Sequence, residues 1–68
     1  MREIIFLAEE APEGGYIAKA LGESIFTEAD SLQELKVKIK DAVSLHFEPQ
    51  NLPKIIRLHF VKEELLTL

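Results

Sequence analysis

The chain has 68 residues, a formal net charge of -4 at pH 7, 47% hydrophobic residues and no cysteine. This length allows one small domain, residues 1–68, whose core is near the lower limit of self-sufficiency. The lack of cysteine excludes disulfides and thiolate zinc sites, so apolar burial, extended by self-association, has to provide the stability.

The acidic residues are concentrated in the first part of the sequence. Residues 1–31 contain seven acids against two bases, whereas residues 32–68 contain five acids against six bases. An acidic surface repels phosphate and attracts basic molecules. The sequence therefore disfavours direct DNA binding and favours a basic protein partner, with acids that serve solubility alone as the alternative.

No apolar stretch approaches the roughly 18 residues that a membrane helix needs. Met1 leads through Arg2 and Glu3 directly into a short apolar run that carries no cleavage signal. We therefore expect a cytoplasmic protein with no membrane association.

Two strands joined by a tight turn are predicted at the start of the chain. Residues 3–9 form a short run that is apolar on both faces, which is typical of a central strand. Residues 10–15 contain a proline and two consecutive glycines and predict a hairpin turn. Residues 16–21 alternate and predict an antiparallel second strand. Since both faces of the first strand are apolar, one needs the helix and the other needs a further cover, such as a second subunit.

A short third strand and a capped helix follow. Residues 24–27 predict the strand, after a turn at Gly22. Ser31 and Glu34 have the spacing of a capping box, and residues 31–47 repeat apolar side chains at the period of one helix face. This stripe consists of Leu32, Leu35, Ile39, Ala42, Val43 and His46. The helix is therefore expected to lie across the sheet with the stripe facing it.

A fourth strand completes the predicted fold. The helix ends before Pro49, because proline disfavours helical geometry in the residue that precedes it. Residues 54–61 alternate and predict a strand, which runs parallel to its neighbour after a helical crossover and is placed beside the first strand. The predicted fold is α+β in the order β-β-β-α-β: a three-stranded antiparallel meander, one amphipathic helix across the sheet, and a fourth strand that returns parallel to the first.

Several apolar residues fall outside the predicted core. Two lie off the helix stripe, and three are leucines in the tail after the fourth strand. A chain this small has little core in which to bury them, so we predict a homo-oligomer, either a dimer or a larger assembly. The predicted interface residues are Val37, Leu45, Leu65, Leu66 and Leu68.

The sequence has no residue pattern that predicts catalysis. His46 and His59 lack the spacing of zinc ligands, and the paired glycines precede a strand, so they do not form the phosphate-binding start of a helix. We expect no catalytic residue, no cofactor and no metal. A small metal-dependent hydrolase or nuclease that uses the two histidines and nearby acids stays open as an alternative, as does a purely self-associating structural subunit.

Three short motifs occur in the order and spacing of a known family. Residues 13–18 read EGGYIA, Leu21-Gly22 forms a corner, and residues 30–35 read DSLQEL. They resemble the glycine-aromatic second strand, the Leu-Pro-Gly corner and the capped helix start of the HicB antitoxins, although the corner here lacks the proline. The resemblance covers residues 2–47, and the fourth strand also fits.

The resemblance to HicB implies a partially degraded ribonuclease H fold that binds and masks a small basic mRNA-cleaving toxin of the HicA type. An active ribonuclease H site would need a carboxylate in the middle of the first strand, where this chain has Ile5, Phe6 and Leu7. The family's usual C-terminal DNA-binding module is not found before Leu68, so we expect a solitary, non-catalytic domain. The acids expected to contact a toxin are Glu9, Glu10, Glu13, Glu23 and Glu28.

Overall fold

The computed structural model describes residues 2–68 as a four-stranded mixed sheet crossed by one α-helix. The elements are β1 (Glu3–Glu10), β2 (Tyr16–Ala20), β3 (Phe26–Ala29), α1 (Leu32–His46), a 3-10 turn (Pro49–Asn51) and β4 (Ile55–Val61). The strand order is β3-β2-β1-β4, with β1 antiparallel to β2, β2 antiparallel to β3, and β1 parallel to β4. The predicted α+β fold, its strand order and its parallel fourth strand are confirmed.

The loop between β1 and β2 is a tight hairpin. Gly14 and Gly15 have φ values of +102° and +81°, the region in which glycine meets no steric penalty. The Gly14 N–H donates to the carbonyl of Ala11, and the Ala11 N–H donates to the carbonyl of Gly15, each at 3.0 Å. The predicted turn is confirmed, and the two glycines supply its backbone geometry.

The helix start has the predicted cap. The Glu34 N–H donates to Oγ of Ser31 at 3.1 Å, and Oε1 of Glu34 accepts a longer bond of 3.4 Å from the N–H of Asp30. The return contact of the capping box therefore reaches one residue further back than the usual pattern. At the other end, Phe47 leaves the helix in an extended conformation, and Glu48 is extended as the following Pro49 predicts.

The core lies between α1 and one face of the sheet. Leu35 of α1 and Phe6 of β1 are its two largest fully buried side chains. Around them the sheet contributes mainly alanine methyl groups, which leave room for the bulkier side chains of the helix. The buried residues are Ile4, Phe6, Ala8, Ala18, Ala20, Ile25, Ala29, Leu35, Ile39 and Val43.

The third strand begins two residues later than predicted. The prediction was 24–27, whereas β3 is Phe26–Ala29. Ile25 is buried but lies in the connection between β2 and β3, where its carbonyl accepts the Ala20 N–H at 3.0 Å. The strand instead extends to Ala29, which pairs with the first residue of β2 and joins the core.

The helix is not centred on the sheet. It packs over β2 and β3, while β4 lies beside β1 at the far edge and keeps Ile56 and Leu58 only half-buried. The molecule measures 53 × 21 × 18 Å. Residues 62–68 follow β4 without secondary structure, and all of them are exposed.

Candidate protein-interaction surface

The face of the sheet opposite α1, here called the open face, has an apolar centre. Strand register places its side chains in rows that cross the sheet. Its apolar members are Ile5, Leu7, Ile17, Leu21, Phe26, Ile55 and Val61. Phe26 is 63% exposed and Leu21 is 47% exposed. Within residues 2–68, α1 thus covers one apolar face of β1, and no element covers the other.

Charged side chains lie among these apolar residues. Arg57 donates from Nε and Nη2 to the two carboxylate oxygens of Glu3, each at 3.2 Å. These hydrogen bonds, and then the charge of Arg57, hold the pKa of Glu3 below its ordinary value, and the same contact raises the pKa of Arg57. Lys19 and His59 flank Leu7 in the neighbouring row. The open face therefore has an apolar centre with charged side chains placed among its apolar residues.

The Glu3–Arg57 pair predicts a pH dependence of stability. A carboxyl group whose pKa is lower in the folded state stabilises the fold at every pH above its unfolded-state pKa, which is about 4.5 for Glu3. This contribution is lost as the pH falls through the folded-state pKa. The fall in urea midpoint on acidification should therefore be smaller for Glu3→Gln than for the wild type. Glu13→Gln, in the hairpin loop, is the control and should keep the wild-type profile. Equal profiles for wild type and Glu3→Gln would contradict a folded-state role of the pair.

Four of the five acids predicted to contact a partner lie at the hairpin end of the sheet. Glu9 of β1 and Glu28 of β3 flank Ile17 in one row of the open face, about 10 Å apart across two strand spacings. Glu10 is the last residue of β1, and Glu13 is in the hairpin loop. We call these four residues the acidic end.

Glu23, the fifth predicted acid, lies at the opposite end of the sheet. It follows β2 in the turn near Gly22, and its Oε1 is 3.1 Å from Nε2 of His46, the last residue of α1. His46 is exposed and does not belong to the buried part of the helix stripe. The fold therefore does not bring Glu23 together with the acidic end.

One further acid, Glu63, lies beside the acidic end and was not predicted from the sequence. A depression of about 490 Å³ is lined by Glu9 and Glu10 on one side and by Val61, Lys62 and Glu63 on the other. The parallel register pairs Glu9 with Val61, so the residues just after β4 come next to the end of β1. The predicted parallel pairing could have identified Glu63, because it already placed the end of the fourth strand beside the end of the first.

The residues predicted to form an oligomer interface are all exposed. Val37 and Leu45 are 55% and 88% exposed on α1, and Leu65 and Leu66 in the tail are 92% and 87% exposed. Leu68 is fully exposed. The tail leaves the sheet at the acidic end. Leu45 is near the C-terminus of α1, which lies at the opposite end of the sheet, close to Glu23. One copy of the chain therefore does not gather these five residues into one patch.

Relatives of the chain are found over most of its length. A UPF0150 protein of Archaeoglobus fulgidus is 58% identical over 52 residues, which cover 76% of this chain and 77% of the relative. A UPF0150 protein of Thermotoga maritima is 47% identical over 62 residues, which cover 91% of this chain and 87% of the relative. The chain belongs to the UPF0150 family. No family model and no solved structure matches this UPF0150 chain.

The two histidines of this UPF0150 protein lie on different elements. The His46 ring meets the Phe47 ring edge-on, with 4.9 Å between ring centroids, and His59 lies on the open face opposite Leu7. In the part of the chain that the structure describes, no group of three His, Asp or Glu side chains lies close enough together to hold a metal ion. No helix of residues 2–68 is long and apolar enough to cross a membrane.

Proposed function

We propose that this protein is a non-catalytic binding subunit of the HicB antitoxin kind. It works in the cytoplasm as a homo-oligomer, and it binds a small basic protein such as a HicA-type mRNA-cleaving toxin. The observation that carries the proposal is the acidic end of the sheet, which lies directly beside the bare apolar open face.

The acidic end combines charge with apolar surface in one row. Glu28, Ile17, Glu9 and Val61 follow one another across the four strands. The carboxylates attract and orient a basic protein, and the apolar side chains between them supply the area that it desolvates. A partner with lysine or arginine around an apolar centre complements this row, whereas the phosphates of a nucleic acid are repelled by it.

The middle of β1 supports a non-catalytic role. Ile5 and Leu7 face the open side, and Phe6 is fully buried beneath α1. An active ribonuclease H site needs a metal-binding carboxylate at this place, and a carboxylate at Phe6 would be buried without a partner. The β-β-β-α-β order is the one expected from the resemblance, and it supports an interaction domain that keeps the scaffold without the reaction.

The predicted partner should be lost when the charge of the acidic end is reversed. Purified wild type, immobilised and incubated with lysate of its source cells, should retain one small basic protein that mass spectrometry can identify. The variant Glu9→Lys, Glu13→Lys, Glu28→Lys should retain at least about tenfold less, because each reversed contact replaces attraction by repulsion. The wild-type complex should also weaken as salt is added.

A control variant with the same change in net charge separates local contacts from overall charge. Glu23→Lys, Asp41→Lys, Glu48→Lys changes three acids that lie away from the acidic end; Asp41 and Glu48 are exposed and Glu23 is half-buried. It should retain the partner nearly as well as the wild type. Equal losses in the two variants, or undiminished recovery by the acidic-end variant, would contradict the proposed contact.

The two alternative functions predict different results. A purely self-associating subunit, which the exposed leucines of α1 and the tail favour, would retain only further copies of itself in the same experiment. A metal-dependent hydrolase would contain metal at a fixed stoichiometry, which elemental analysis of the purified protein measures.

A further inference from the structure

The strand β4 forms one edge of the sheet. It runs for seven residues, Ile55–Val61, without proline or glycine, and its register with β1 continues without interruption. β1 satisfies the backbone groups on one side of the strand only. Free N–H and C=O groups along a long, regular edge are a template for pairing with another strand.

The side chains of β4 are as incompletely covered as its backbone. Because α1 packs over β2 and β3, a groove of about 240 Å³ remains between α1 and β4. Ile39, Ile56 and Leu58 line it, together with two lysines of α1. Phe60, further along the same face of β4, is 43% exposed. A strand added beside β4 would cover this groove with its own side chains.

The opposite edge of the sheet does not offer the same surface. β3 has only four residues, and a short edge strand offers few backbone groups for pairing. Nζ of Lys38 donates to the Glu28 carbonyl at 3.1 Å, so the helix already occupies part of the backbone of β3. The available edge is therefore β4.

We propose that two copies of the chain pair their β4 strands antiparallel, about a two-fold axis that passes through Leu58 perpendicular to the sheet. The strand is symmetric about this residue, so all seven of its positions find a partner and the two sheets join into one of eight strands. The facing pairs are Leu58 with Leu58, Ile56 with Phe60, Ile55 with Val61, and Arg57 with His59. Every apolar residue of the strand then faces an apolar residue of the other copy.

Neighbouring registers are less favourable. A two-fold axis perpendicular to the sheet places both helices on the same side of the joined sheet. Such an axis always passes through one residue of β4, so each alternative register corresponds to an axis through a different residue. An axis through Arg57 sets two guanidinium groups directly opposite each other. An axis through His59 pairs Ile56 with Lys62 and leaves part of each strand beyond the other. The axis through Leu58 avoids both faults.

This inference rests on the homo-oligomeric part of the proposed function and is independent of the basic partner. It differs from the interface predicted from sequence, which used exposed residues of α1 and the tail. Here the oligomer is built by strand pairing, and those residues lie outside the contact.

Charge substitutions at one facing pair test the register. Ile55 and Val61 are 40% and 41% exposed and lie outside the buried core, so both accept charges. Ile55→Lys with Val61→Lys sets lysine against lysine at both ends of the paired strands and should raise the dimer dissociation constant at least about tenfold. Ile55→Lys with Val61→Glu sets lysine against glutamate at the same positions and should restore wild-type dimerisation. Sedimentation equilibrium measures the mass, and circular dichroism verifies that each variant is folded.

A cysteine introduced at the axis gives a second test that leaves the wild-type charge in place. The chain has no cysteine. Directly opposed residues of antiparallel strands have Cα atoms about 4.5–5.5 Å apart, within the range that a disulfide spans. Leu58→Cys should therefore form a covalent dimer on oxidation, whereas Leu45→Cys, on the exposed face of α1, should not.

The outcomes separate this inference from the proposed function. A wild type that is monomeric would overturn both the β4 interface and the homo-oligomer. A wild-type oligomer that survives the two-lysine variant, or that crosslinks through Leu45→Cys in place of Leu58→Cys, would overturn the β4 interface alone. Failure of the lysine-glutamate variant to restore the dimer would overturn the register through Leu58.

Discussion

Replacing Leu35 by alanine lowers the free energy of unfolding by about 2–5 kcal/mol. Leu35 is 0% exposed and shares the core with Phe6, the other large side chain that is completely buried. The alanine side chains of the sheet beneath the helix are too short to fill the cavity that the truncated Leu35 side chain leaves. A single core of this size supplies only about 3–5 kcal/mol, so this one substitution removes a large share of the stability that one copy of the chain provides. Urea denaturation followed by circular dichroism measures the loss.

Val37→Ala is the matched control for this substitution. Val37 lies on the same helix, two positions along, and is 55% exposed. Removing its methyl groups should change the free energy of unfolding by no more than about 0.5 kcal/mol. A comparable loss in both variants would contradict the placement of the helix, because only one of the two side chains faces the sheet.

Gly15→Ala should be the most damaging substitution in the hairpin. Its φ of +81° already costs an alanine about 1–2 kcal/mol. In addition, the new Cβ would lie 2.7 Å from the carbonyl oxygen of Ala29, a backbone atom that belongs to β3 and cannot move independently. The free energy of unfolding should therefore fall by about 3 kcal/mol, the sum of backbone strain and steric overlap. Thermal and urea unfolding both measure it.

Gly14→Ala separates the two contributions. Gly14 has a φ of +102°, but a Cβ added there meets nothing within 4 Å. Only the backbone cost of about 1–2 kcal/mol should remain. If the two alanine variants were equally stable, the close approach of Gly15 to Ala29, and with it the position of β3 beside β2, would be wrong.

The helix and the strand order were predictable because local signals agreed with each other. Ser31, the apolar period after it and Pro49 define both ends of α1, and the structure places the helix between them. The parallel fourth strand followed from the helical crossover, a connection with few alternatives. The third strand was predicted two residues early because the apolar side chain of Ile25 fits a strand as well as a buried connection. Only the register between β3 and β2, which begins at Phe26, shows that Ile25 precedes the strand.

The acidic end was only partly predictable. Counting charges selected Glu9 and Glu28 together with Glu23, but consecutive turns of a meander lie at opposite ends of the sheet. The turn that holds Glu23 therefore faces away from the hairpin that holds Glu13. Applying that rule would have separated them. The placement of Glu28 within β3, by contrast, depends on the register between strands, which no local pattern in this segment specifies.

The parallel pairing of β1 with β4 has a consequence for how the chain reaches its fold. Glu3 pairs with Ile55 and Glu9 with Val61, so the hairpin, β3 and α1 all lie between the partners. The meander and the helix form through contacts between residues that are close in sequence. The β1–β4 pairing instead joins residues about 52 positions apart and closes a loop that contains β2, β3 and α1. We therefore expect the central strand to acquire its second neighbour last. During synthesis, β1, which is apolar on both faces, keeps one unpaired side until β4 has left the ribosome.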